Sequence, residues 1–351
     1  MFENRQKRTE LAELGEFKLI DRLTKNVAIR QNSTLQGIGD DAAILNFESK
    51  QVLLSTDLLV EGVHFDLSYT PLKHLGYKAI MVNLSDIAAM NATPTQITVG
   101  IAVSNRFSVE SLEELYSGML LACEKYNVDL VGGDTTSSTS GLFLAISVLG
   151  IADKEKITKR STAKPGDLIV TSGDLGAAYA GLLLLEREKA VFKKDPNIQP
   201  DLAGYEYVIE RQLKPEARID MIGRFAEIGL IPTSMIDISD GLASEVLHLC
   251  EESGLGCNIY EEKIPIDAQT VTVAELFSIH PITCALNGGE DYELLFTVSQ
   301  GDFEKINGKG EFYIIGHMSD VGTPKNLITN SGESVQLTAQ GWDGISNNKN
   351  V

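Results

Sequence analysis

The chain has 351 residues, 43% of them hydrophobic and 23% charged, which is the composition of an ordinary globular protein with a full core. Its formal net charge of −19 argues against a nucleic-acid or membrane-surface partner, because such partners require a basic face. Nucleotides are not excluded, since a bound metal ion can reverse the sign of the potential inside an acidic cleft. We therefore expect no nucleic-acid partner and no membrane partner.

The cysteine pattern and the N-terminus both indicate a cytoplasmic protein. The four cysteines, Cys123, Cys250, Cys257 and Cys284, form no CxxC pair and no zinc-finger spacing, so we expect reduced thiols in the core. The first residues lack the apolar segment of a signal peptide, and no apolar run is long enough to span a membrane.

In the first half of the chain, apolar periodicity predicts helices and strands in alternation. The helices are predicted over 10–24, 73–91 and 108–126, and the strands over 51–56, 95–103, 128–131 and 142–150. The segment 153–167, rich in Lys, Thr and Pro-Gly, is the predicted boundary between two domains, 1–152 and 153–351.

The alternation restarts after this boundary. Strands are predicted over 167–172, 234–238, 257–261, 291–298 and 311–317, helices over 175–188 and 216–229 and from Gly241 onward, and an exposed charged loop over 186–200. Because strands and helices alternate in both halves, the predicted fold class is α/β or α+β.

Six acidic motifs place Asp beside Gly, Ser or Thr near apolar runs. They are Gly39-Asp40-Asp41, Ser55-Thr56-Asp57, Ser85-Asp86, Gly132-Gly133-Asp134, Asp237-Ile238-Ser239-Asp240-Gly241 and Gly288-Gly289-Glu290-Asp291. Hard cations such as Mg²⁺ take oxygen ligands and usually bind together with substrate phosphates. Glycine lets the backbone approach those phosphates closely. Together the motifs predict a site with clustered Mg²⁺ for phosphoryl transfer.

The common nucleotide and hydrolase signatures are missing from the sequence. It contains no GxxxxGK[ST] loop, no HExxH, no GxSxG and no kinase HRD or DFG motif. Gly37-Ile38-Gly39 is followed by Asp40 and Asp41 instead of a third glycine. Because carboxylates repel a pyrophosphate when no metal is present, a Rossmann site is disfavoured.

In the first half, three of the four motifs also have a structural interpretation. Asp40-Asp41 could form a turn, and Gly132-Gly133-Asp134 could form a hairpin turn after the strand at 128–131. Asp86 lies among apolar residues of a predicted helix, where a hydrogen bond to Asn83 or a solvent-facing position would avoid the cost of burial. For Ser55-Thr56-Asp57, the hydroxyls and the carboxylate could instead converge on one metal ion.

The motif at 237–241 follows a predicted strand and precedes a predicted helix. Ser239 or Asp240 could therefore be a simple helix N-cap. A cap and a metal ligand are compatible roles, so this motif does not separate them.

With these motifs the chain resembles the thiamine-monophosphate kinase family of the aminoimidazole-ribonucleotide (AIR) synthase-like superfamily. The matching stretches are GIGDDAAIL (37–45), STDLLVEGVHF (55–65), GYKAIMVNLSDIAAMNATP (76–94), VGGDTT (131–136), RSTAKPGD (160–167), IDISDGL (236–242), GGEDYELLF (288–296) and GW (341–342). They span nearly the whole chain in order.

The resemblance implies transfer of the ATP γ-phosphoryl group to thiamine monophosphate, the final step of thiamine diphosphate biosynthesis, by direct in-line transfer with several Mg²⁺ ions. The implied metal ligands are Asp41, Ser55, Thr56, Asp57, Asp86, Asp134, Asp237 and Asp240. The implied ATP contacts are Tyr116, Gly133, Asp134, Arg160 and Ser239, and the implied thiamine monophosphate contacts are His64, Glu290 and Trp342. No residue is assigned as a general base, and Arg160 is the candidate that stabilises phosphate charge.

The resemblance also implies the two-domain AIR synthase-like fold. The domain 1–152 would carry the metal and ATP site and a four-stranded sheet that forms a barrel across a homodimer. The domain 153–351 would complete the phosphate and substrate cleft.

Other members of the superfamily are the nearest alternatives. A selenophosphate synthetase requires a cysteine near the N-terminus, and the first here is Cys123; the hydrogenase-maturation relative requires a C-terminal cysteine, and this chain ends in Val351. A purine-pathway synthase and a non-catalytic protein that binds Mg²⁺ and a nucleotide remain as alternatives.

Overall fold

The computed structural model describes residue 9, residues 16–36, residue 38 and residues 43–340. The chain divides into two compact units, Met1–Ile87 with Ala92–Ile157, and Ala88–Asn91 with Thr158–Val351. All four cysteines are free and buried, as predicted. Within the described ranges, no helix combines the length and the apolar character that crossing a bilayer requires.

The first unit contains a four-stranded sheet and its helices. Its elements are α1 (Glu16–Thr24), β1 (Thr34–Gln36), β2 (Ile44–Leu45), β3 (Gln51–Val60), α2 (Leu72–Ala89), β4 (Thr93–Val103), α3 (Val109–Tyr126), β5 (Asp129–Ser137) and β6 (Leu142–Ala152), followed by a 3₁₀ turn at Lys154–Lys156. The sheet order is β3-β6-β4-β5, and β1 pairs with β2 in a separate ribbon. The predicted helix 10–24 is observed from Glu16, and residues 10–15 lie outside the described residues.

Helices α2 and α3 approach each other at two glycines. A Cβ atom at Gly76 would overlap the carbonyl oxygen of Leu115, and one at Gly118 would overlap the carbonyl oxygen of Lys73. Each glycine therefore lies against the backbone of the other helix. The α2 segment that follows Gly76 carries Asp86.

The paired glycines of the VGGDTT stretch lie within a strand, which corrects the predicted strand end at 131 and the hairpin alternative. Strand β5 continues to Ser137 in parallel pairing with β4, and Gly133 is opposite Val99. A Cβ atom at Gly133 would overlap the carbonyl oxygen of Val99. Glycine is therefore required there by close approach of two strands.

The second unit contains a seven-stranded sheet. Its elements are β7 (Leu168–Thr171), α4 (Ala177–Lys194), α5 (Glu206–Leu213), α6 (Asp220–Glu227), β8 (Ser234–Asp237), α7 (Leu242–Ser253), β9 (Leu255–Tyr260), α8 (Ala268–Leu276), α9 (Pro281–Asn287), β10 (Leu294–Val298), α10 (Phe303–Ile306), β11 (Tyr313–Val321), β12 (Lys325–Ile328) and β13 (Ser334–Gln336), with 3₁₀ turns at Glu261–Lys263 and Gln300–Asp302. The order is β13-β12-β9-β11-β7-β10-β8, antiparallel except for β12 beside β9.

Both faces of this sheet contribute to apolar cores. Val246 and Leu249 of α7 pack with Ile236, Cys257 and Leu295 on one face. Met221 and Phe225 of α6 pack with Val170, Met235 and Phe296 in another core cluster. A third cluster joins α4, α5 and α8 through residues such as Ala180, Val208 and Val273.

Three predicted boundaries of the second unit were wrong. The charged stretch 186–200 is not all loop, because α4 continues to Lys194. Within this part of α4, the buried Glu188 accepts a hydrogen bond of 3.0 Å from the amide of Asp201. Helix α5 was not predicted, and the helix predicted over 216–229 begins only at Asp220. The strand predicted over 291–298 begins at Leu294, since Tyr292 has a left-handed φ of +53° that interrupts extended backbone.

Candidate functional site

The first acidic group lies on β3 and α2. The hydroxyl of Ser55 donates a hydrogen bond of 2.5 Å to Oδ2 of Asp86. Burial, and then the nearby charge of Asp86, raise the pKa of Asp57 to about 6. The structure therefore brings Ser55, Asp57 and Asp86 together on one side of the strand.

Asn83 holds the strand at this group. The backbone amide of Asp57 donates to Oδ1 of Asn83 at 3.1 Å, and Nδ2 of Asn83 donates to the carbonyl of Ala79 at 3.0 Å. A hydrogen bond to Asn83 was one alternative for Asp86, and the structure shows a hydrogen bond from the Ser55 hydroxyl to Asp86. Sequence reasoning did not assign this role to Asn83.

The side chain of Thr56 points to the opposite face of β3. Its hydroxyl donates to the carbonyl of Ile146 at 2.9 Å and lies 3.0 Å from Oγ of Ser147. Successive side chains of a strand alternate between its faces, so the side chains of Ser55 and Asp57 share a face that Thr56 does not. A metal contact of Thr56 remains a prediction. The side chains of Ser55, Thr56 and Asp57 do not all converge on one point.

Asp134 lies across the sheet from this group. On β5, Asp134 pairs with Gly100 of β4. Gly100 pairs in turn with Ala145 of β6, and Ala145 pairs with Leu58 of β3. Three strand spacings, about 14 Å, therefore separate the backbones of Asp134 and Leu58. Within the chain, the sheet does not bring Asp134 beside Asp57.

Two other predicted contacts lie in the first unit. Nδ1 of His64 accepts a hydrogen bond of 3.0 Å from the amide of Val60, so in the neutral ring the second nitrogen, Nε2, carries the proton. Tyr116 is buried on α3, and burial raises the pKa of its hydroxyl to about 12. Asp41 and Trp342 lie outside the described residues.

The second acidic group follows β8. Asp237 is buried at the end of this strand, and the amide of Asp240 donates to Oε1 of Glu245 at 3.1 Å. Burial raises the pKa of Asp240, while His248 and Arg160 lower it and Glu290 raises it further. The structure thus brings Arg160 and Glu290 into the electrostatic neighbourhood of Asp240.

The capping alternative for this motif was wrong. The N-cap of α7 is Gly241, with φ +121° and no side-chain cap hydrogen bond. The carbonyl of Ser239 accepts a 2.7 Å hydrogen bond from the amide of Glu290. Ser239 and Asp240 therefore leave their side chains available for other partners than the helix start.

Glu245 is an acidic residue of this group that sequence reasoning missed. It is buried on the first turns of α7, and burial raises its pKa to about 8, with the nearby Asp237 and Asp240 adding to the shift. A signal existed, because Glu245 interrupts an otherwise apolar stripe of Leu242 and Val246.

The loop that carries Glu290 has an unusual backbone. Gly289, Glu290 and Tyr292 have φ values of +69°, +58° and +53°. Outside glycine such values cost of order 1 kcal/mol per residue, and they persist only where surrounding contacts enforce them. The amides of Glu290 and Tyr292 donate to the carbonyls of Ser239 and Ile238 at 2.7 and 2.9 Å. The Glu290 loop and the Asp237–Asp240 loop are therefore hydrogen-bonded together.

A buried charge network lies beneath this loop. Oε1 of Glu293 accepts from Arg211 at 2.9 Å, and its Oε2 accepts from Arg218 at 2.5 Å and from the hydroxyl of Ser172 at 2.7 Å. Asp291 accepts from the amides of Gly176 and Ala178 at 2.7 and 3.3 Å.

Arg211 is the central cation of that network. Its Nη2 lies 3.8 Å from Asp291 and donates to the backbone carbonyl of Asp291 at 3.2 Å. Burial alone would lower the pKa of Arg211, but the carboxylates of Glu293 and Asp291 more than reverse this and raise it. The sequence motif showed the acids and gave no sign of this arginine.

Comparison with known proteins agrees with the motif resemblance. The model of the AIR synthase related protein, N-terminal domain, matches residues 39–152, and that of the C-terminal domain matches residues 164–324. A thiamine-monophosphate kinase of Aquifex aeolicus (strain VF5) is 38% identical over 82% of this chain and 87% of its own length. One from Bacillus subtilis (strain 168) is 37% identical over 94% and 99%.

This chain belongs to the thiamine-monophosphate kinase family.

Solved structures of the thiamine-monophosphate kinase family have the same fold. AaThiL complexed with AMPPCP and TMP is 33% identical, with TM-score 0.71, and covers 95% of this chain and 98% of its own. The enzyme of Stenotrophomonas maltophilia K279a is 29% identical, with TM-score 0.76, over 92% and 98%. The predicted two-domain AIR synthase-like fold is confirmed. Hydrogenase maturation protein HypE, at 18% identity and TM-score 0.72, shares the fold alone.

The thiamine-monophosphate kinase family implies Mg²⁺, and the donors present here fit that ion. The two acidic groups offer carboxylate and hydroxyl oxygens, and the raised pKa of Asp57 marks a desolvated carboxylate beside Asp86 that a cation would stabilise. Over the described residues, no three His, Cys, Asp or Glu side chains gather closely enough to enclose a metal. Phosphate and water would therefore have to supply further ligands, as is usual for Mg²⁺.

The buried acids make stability depend on pH. Glu245 and Asp291 have pKa values raised by burial to about 8 and about 7, so between about pH 4 and 8 the native state binds more protons than the unfolded state. The unfolding free energy should therefore fall as pH rises through this window. Surface carboxylates with lowered pKa, such as Glu110, change charge below about pH 5.5 in both states and contribute almost no slope between about pH 6 and 8.

We expect a lower urea midpoint at pH 8 than at pH 6. Glu245→Gln keeps the acceptor for Asp240, and it should flatten the decline. A midpoint that rises between these pH values would contradict the assignment of buried, protonated acids.

Proposed function

We propose that this protein catalyses the Mg²⁺-dependent transfer of the ATP γ-phosphoryl group to thiamine monophosphate, which yields thiamine diphosphate and ADP. The observation that supports it most is the match to thiamine-monophosphate kinases along nearly the full chain, at 37% identity over 94% of it in one case. The product is the final one of thiamine diphosphate biosynthesis, and we propose a cytoplasmic location because both substrates are small metabolites of that compartment.

The transfer is a direct in-line displacement. A phosphate oxygen of thiamine monophosphate forms a bond to the γ-phosphorus, the bond from that phosphorus to the bridging oxygen breaks, and its electron pair leaves with ADP. The acceptor phosphate has a second pKa near 6, so it is largely ionised at neutral pH and needs no strong general base. Positioning and charge neutralisation therefore dominate the rate enhancement.

Each assigned residue has a role in this scheme. We propose that Asp57, Asp86, Asp237 and Asp240 hold Mg²⁺, which neutralises phosphate charge when bound. Arg160 would present its planar fork to phosphate oxygens. Its backbone is fixed because its carbonyl accepts from the hydroxyls of Ser234 and Ser253 at 2.8 and 3.1 Å.

The remaining predicted contacts complete the proposal. Asp41, Ser55, Thr56 and Asp134 are proposed as further metal ligands; Tyr116, Gly133, Asp134 and Ser239 as ATP contacts; and His64, Glu290 and Trp342 as thiamine monophosphate contacts. The carboxylate of Glu290 suits the cationic thiazolium ring, and an aromatic face such as that of Trp342 suits it as well.

Product analysis tests the proposal. The protein is incubated with ATP, Mg²⁺ and thiamine monophosphate, with an acceptor-free reaction and a chelated reaction as controls. Thiamine diphosphate should appear in step with ADP and only in the complete reaction. ATP consumption without thiamine diphosphate would favour another superfamily activity, and no consumption by folded protein would favour the alternative of a non-catalytic nucleotide-binding protein.

A homodimer is the second part of the proposal, and an exposed apolar sheet face supports it. On β3, Val52, Leu54 and Leu58 are 46%, 71% and 55% exposed, although strands seldom present a row of large apolar side chains to water. We propose that a second copy covers this face, as in the barrel that the family resemblance implies.

Leu54→Glu should convert the dimer to a monomer in sedimentation velocity, because it places a charge in the covered face. Leu121→Glu is the matched control, since Leu121 is 43% exposed on α3, and it should leave the dimer intact. A wild-type protein that sediments as a monomer at micromolar concentration would contradict the homodimer.

A further inference from the structure

Helix α5 contacts the Glu290 side chain directly. Gln212, on the last turn of α5, is 6% exposed, and its Nε2 donates a hydrogen bond of 2.8 Å to Oε2 of Glu290. We propose that Gln212 is a positioning residue for the acceptor substrate and that it acts by orienting the carboxylate of Glu290. This inference rests on the proposed function, in which Glu290 contacts the thiazolium cation.

The base of Gln212 is held rigidly. Helix α5 packs on α4 at Gly181, where an added Cβ atom would overlap the carbonyl of Val208 and lie 3.0 Å from Cβ of Gln212. The preceding residue, Arg211, donates hydrogen bonds to the carboxylate of Glu293 and to the backbone carbonyl of Asp291. The amide of Gln212 is therefore presented from a fixed backbone.

The backbone of Glu290 is held equally well. Its left-handed φ of +58° is fixed by the hydrogen bond to the carbonyl of Ser239 on one side and by the burial of Asp291 on the other. What the backbone does not fix is the side-chain torsion of Glu290, a flexible chain that loses rotamer freedom when ordered. The hydrogen bond from Gln212 selects the orientation of this carboxylate before the substrate arrives, and such preorganisation improves binding.

An uncharged hydrogen-bond donor also suits a substrate that carries a cationic thiazolium ring. Gln212 is uncharged, so its hydrogen bond orients Glu290 without adding a positive charge beside it. The cation at the neighbouring position, Arg211, contacts Asp291 and Glu293. The two neighbours on α5 thus have different roles: Arg211 stabilises the loop, and Gln212 orients the Glu290 carboxylate that the loop carries.

The test is steady-state kinetics of Gln212→Met, which keeps the side-chain volume and removes the donor. We expect the KM for thiamine monophosphate to rise about ten-fold, with kcat and the KM for ATP changed less than about two-fold, because a hydrogen bond to a charged group is lost on the acceptor side alone. Glu210→Gln, an exposed change on the same helix, is the control and should leave all three parameters unchanged.

A double-mutant cycle separates positioning from a general structural role. In a Glu290→Met background, adding Gln212→Met should change the KM for thiamine monophosphate less than about two-fold, since the acceptor of the Gln212 hydrogen bond is already absent. Multiplicative effects of the two substitutions would overturn the inference, and so would an unchanged KM in Gln212→Met. Gln212→Asn, which stays polar but does not reach Glu290, replaces the Met variant if urea denaturation shows that the latter is unfolded.

The outcome also distinguishes this inference from the proposed function. Wild-type protein that forms no thiamine diphosphate would refute the function itself. Active wild-type protein with unaffected Gln212 variants would refute only the positioning role.

Discussion

Asp57→Asn should abolish thiamine diphosphate formation, with a loss of at least about a thousand-fold in kcat, because it removes a charged oxygen ligand from the proposed Mg²⁺ site. The fold should remain intact and become more stable at pH 8. Burial raises the pKa of Asp57 to about 6, so ionised Asp57 opposes folding at this pH. Its removal should add about 1 kcal/mol to the unfolding free energy after allowance for partial solvent exposure.

Activity and urea denaturation of the same variant check this prediction. The prediction is specific because kcat should fall while the unfolding free energy at pH 8 should rise. Asp153→Asn is the matched control in the same unit, because Asp153 pairs at the surface with Lys50 and Lys156. It should leave kcat unchanged. Near-normal turnover of Asp57→Asn would refute the assignment of the β3 and α2 acids to the metal site.

Arg211→Met should destabilise the protein by about 3–5 kcal/mol at pH 8, the usual effect of removing one partner of a buried ion pair. Asp291 and Glu293 would remain buried without their shared cation. The pKa of Asp291 is already raised to about 7 by burial, against the lowering effect of Arg211, so it should rise further in the variant. Because Asp291 then binds its proton more tightly in the native state, the loss of stability should grow from pH 5 to pH 8.

Denaturation at the two pH values, with Arg224→Met as the control, checks the second prediction. Arg224 pairs with Glu227 and Glu311 at the surface, and its removal should not move the midpoint measurably. An Arg211→Met variant whose deficit is independent of pH would show that the buried carboxylates are not the cause.

The acidic loops of this fold could be located from the sequence because each is local. Asp237 and Asp240 are three residues apart at a strand end, and Asp57 and Asp86 lie on elements whose apolar periodicity was clear. The period of two along β3 also contains the information that Thr56 faces away from Ser55 and Asp57, although the prediction of three converging side chains did not use it.

The supporting residues of the site could not be found in the same way. Arg211 and Glu293 are 82 positions apart, and Gln212 and Glu290 are 78 apart, so no local pattern links them. Helix α5, which carries both donors, was itself missed. Which polar residue is buried, and against which partner, is decided by the packing of α4, α5 and the Glu290 loop, and a single sequence does not show this packing.

The opposed glycines Gly76 and Gly118 have a consequence for how freely this enzyme can diverge. Each lies against the carbonyl of the other helix, so even alanine at either position would push α2 and α3 apart. Asn83 and Asp86 are carried on α2, and their reach to β3 is set to within tenths of an ångström by hydrogen bonds of 3.1 and 2.5 Å. In a saturation library selected for thiamine prototrophy, these two positions should tolerate no residue but glycine. The position of Asn83 and Asp86 relative to β3 thus depends on the absence of a side chain at Gly76 and at Gly118.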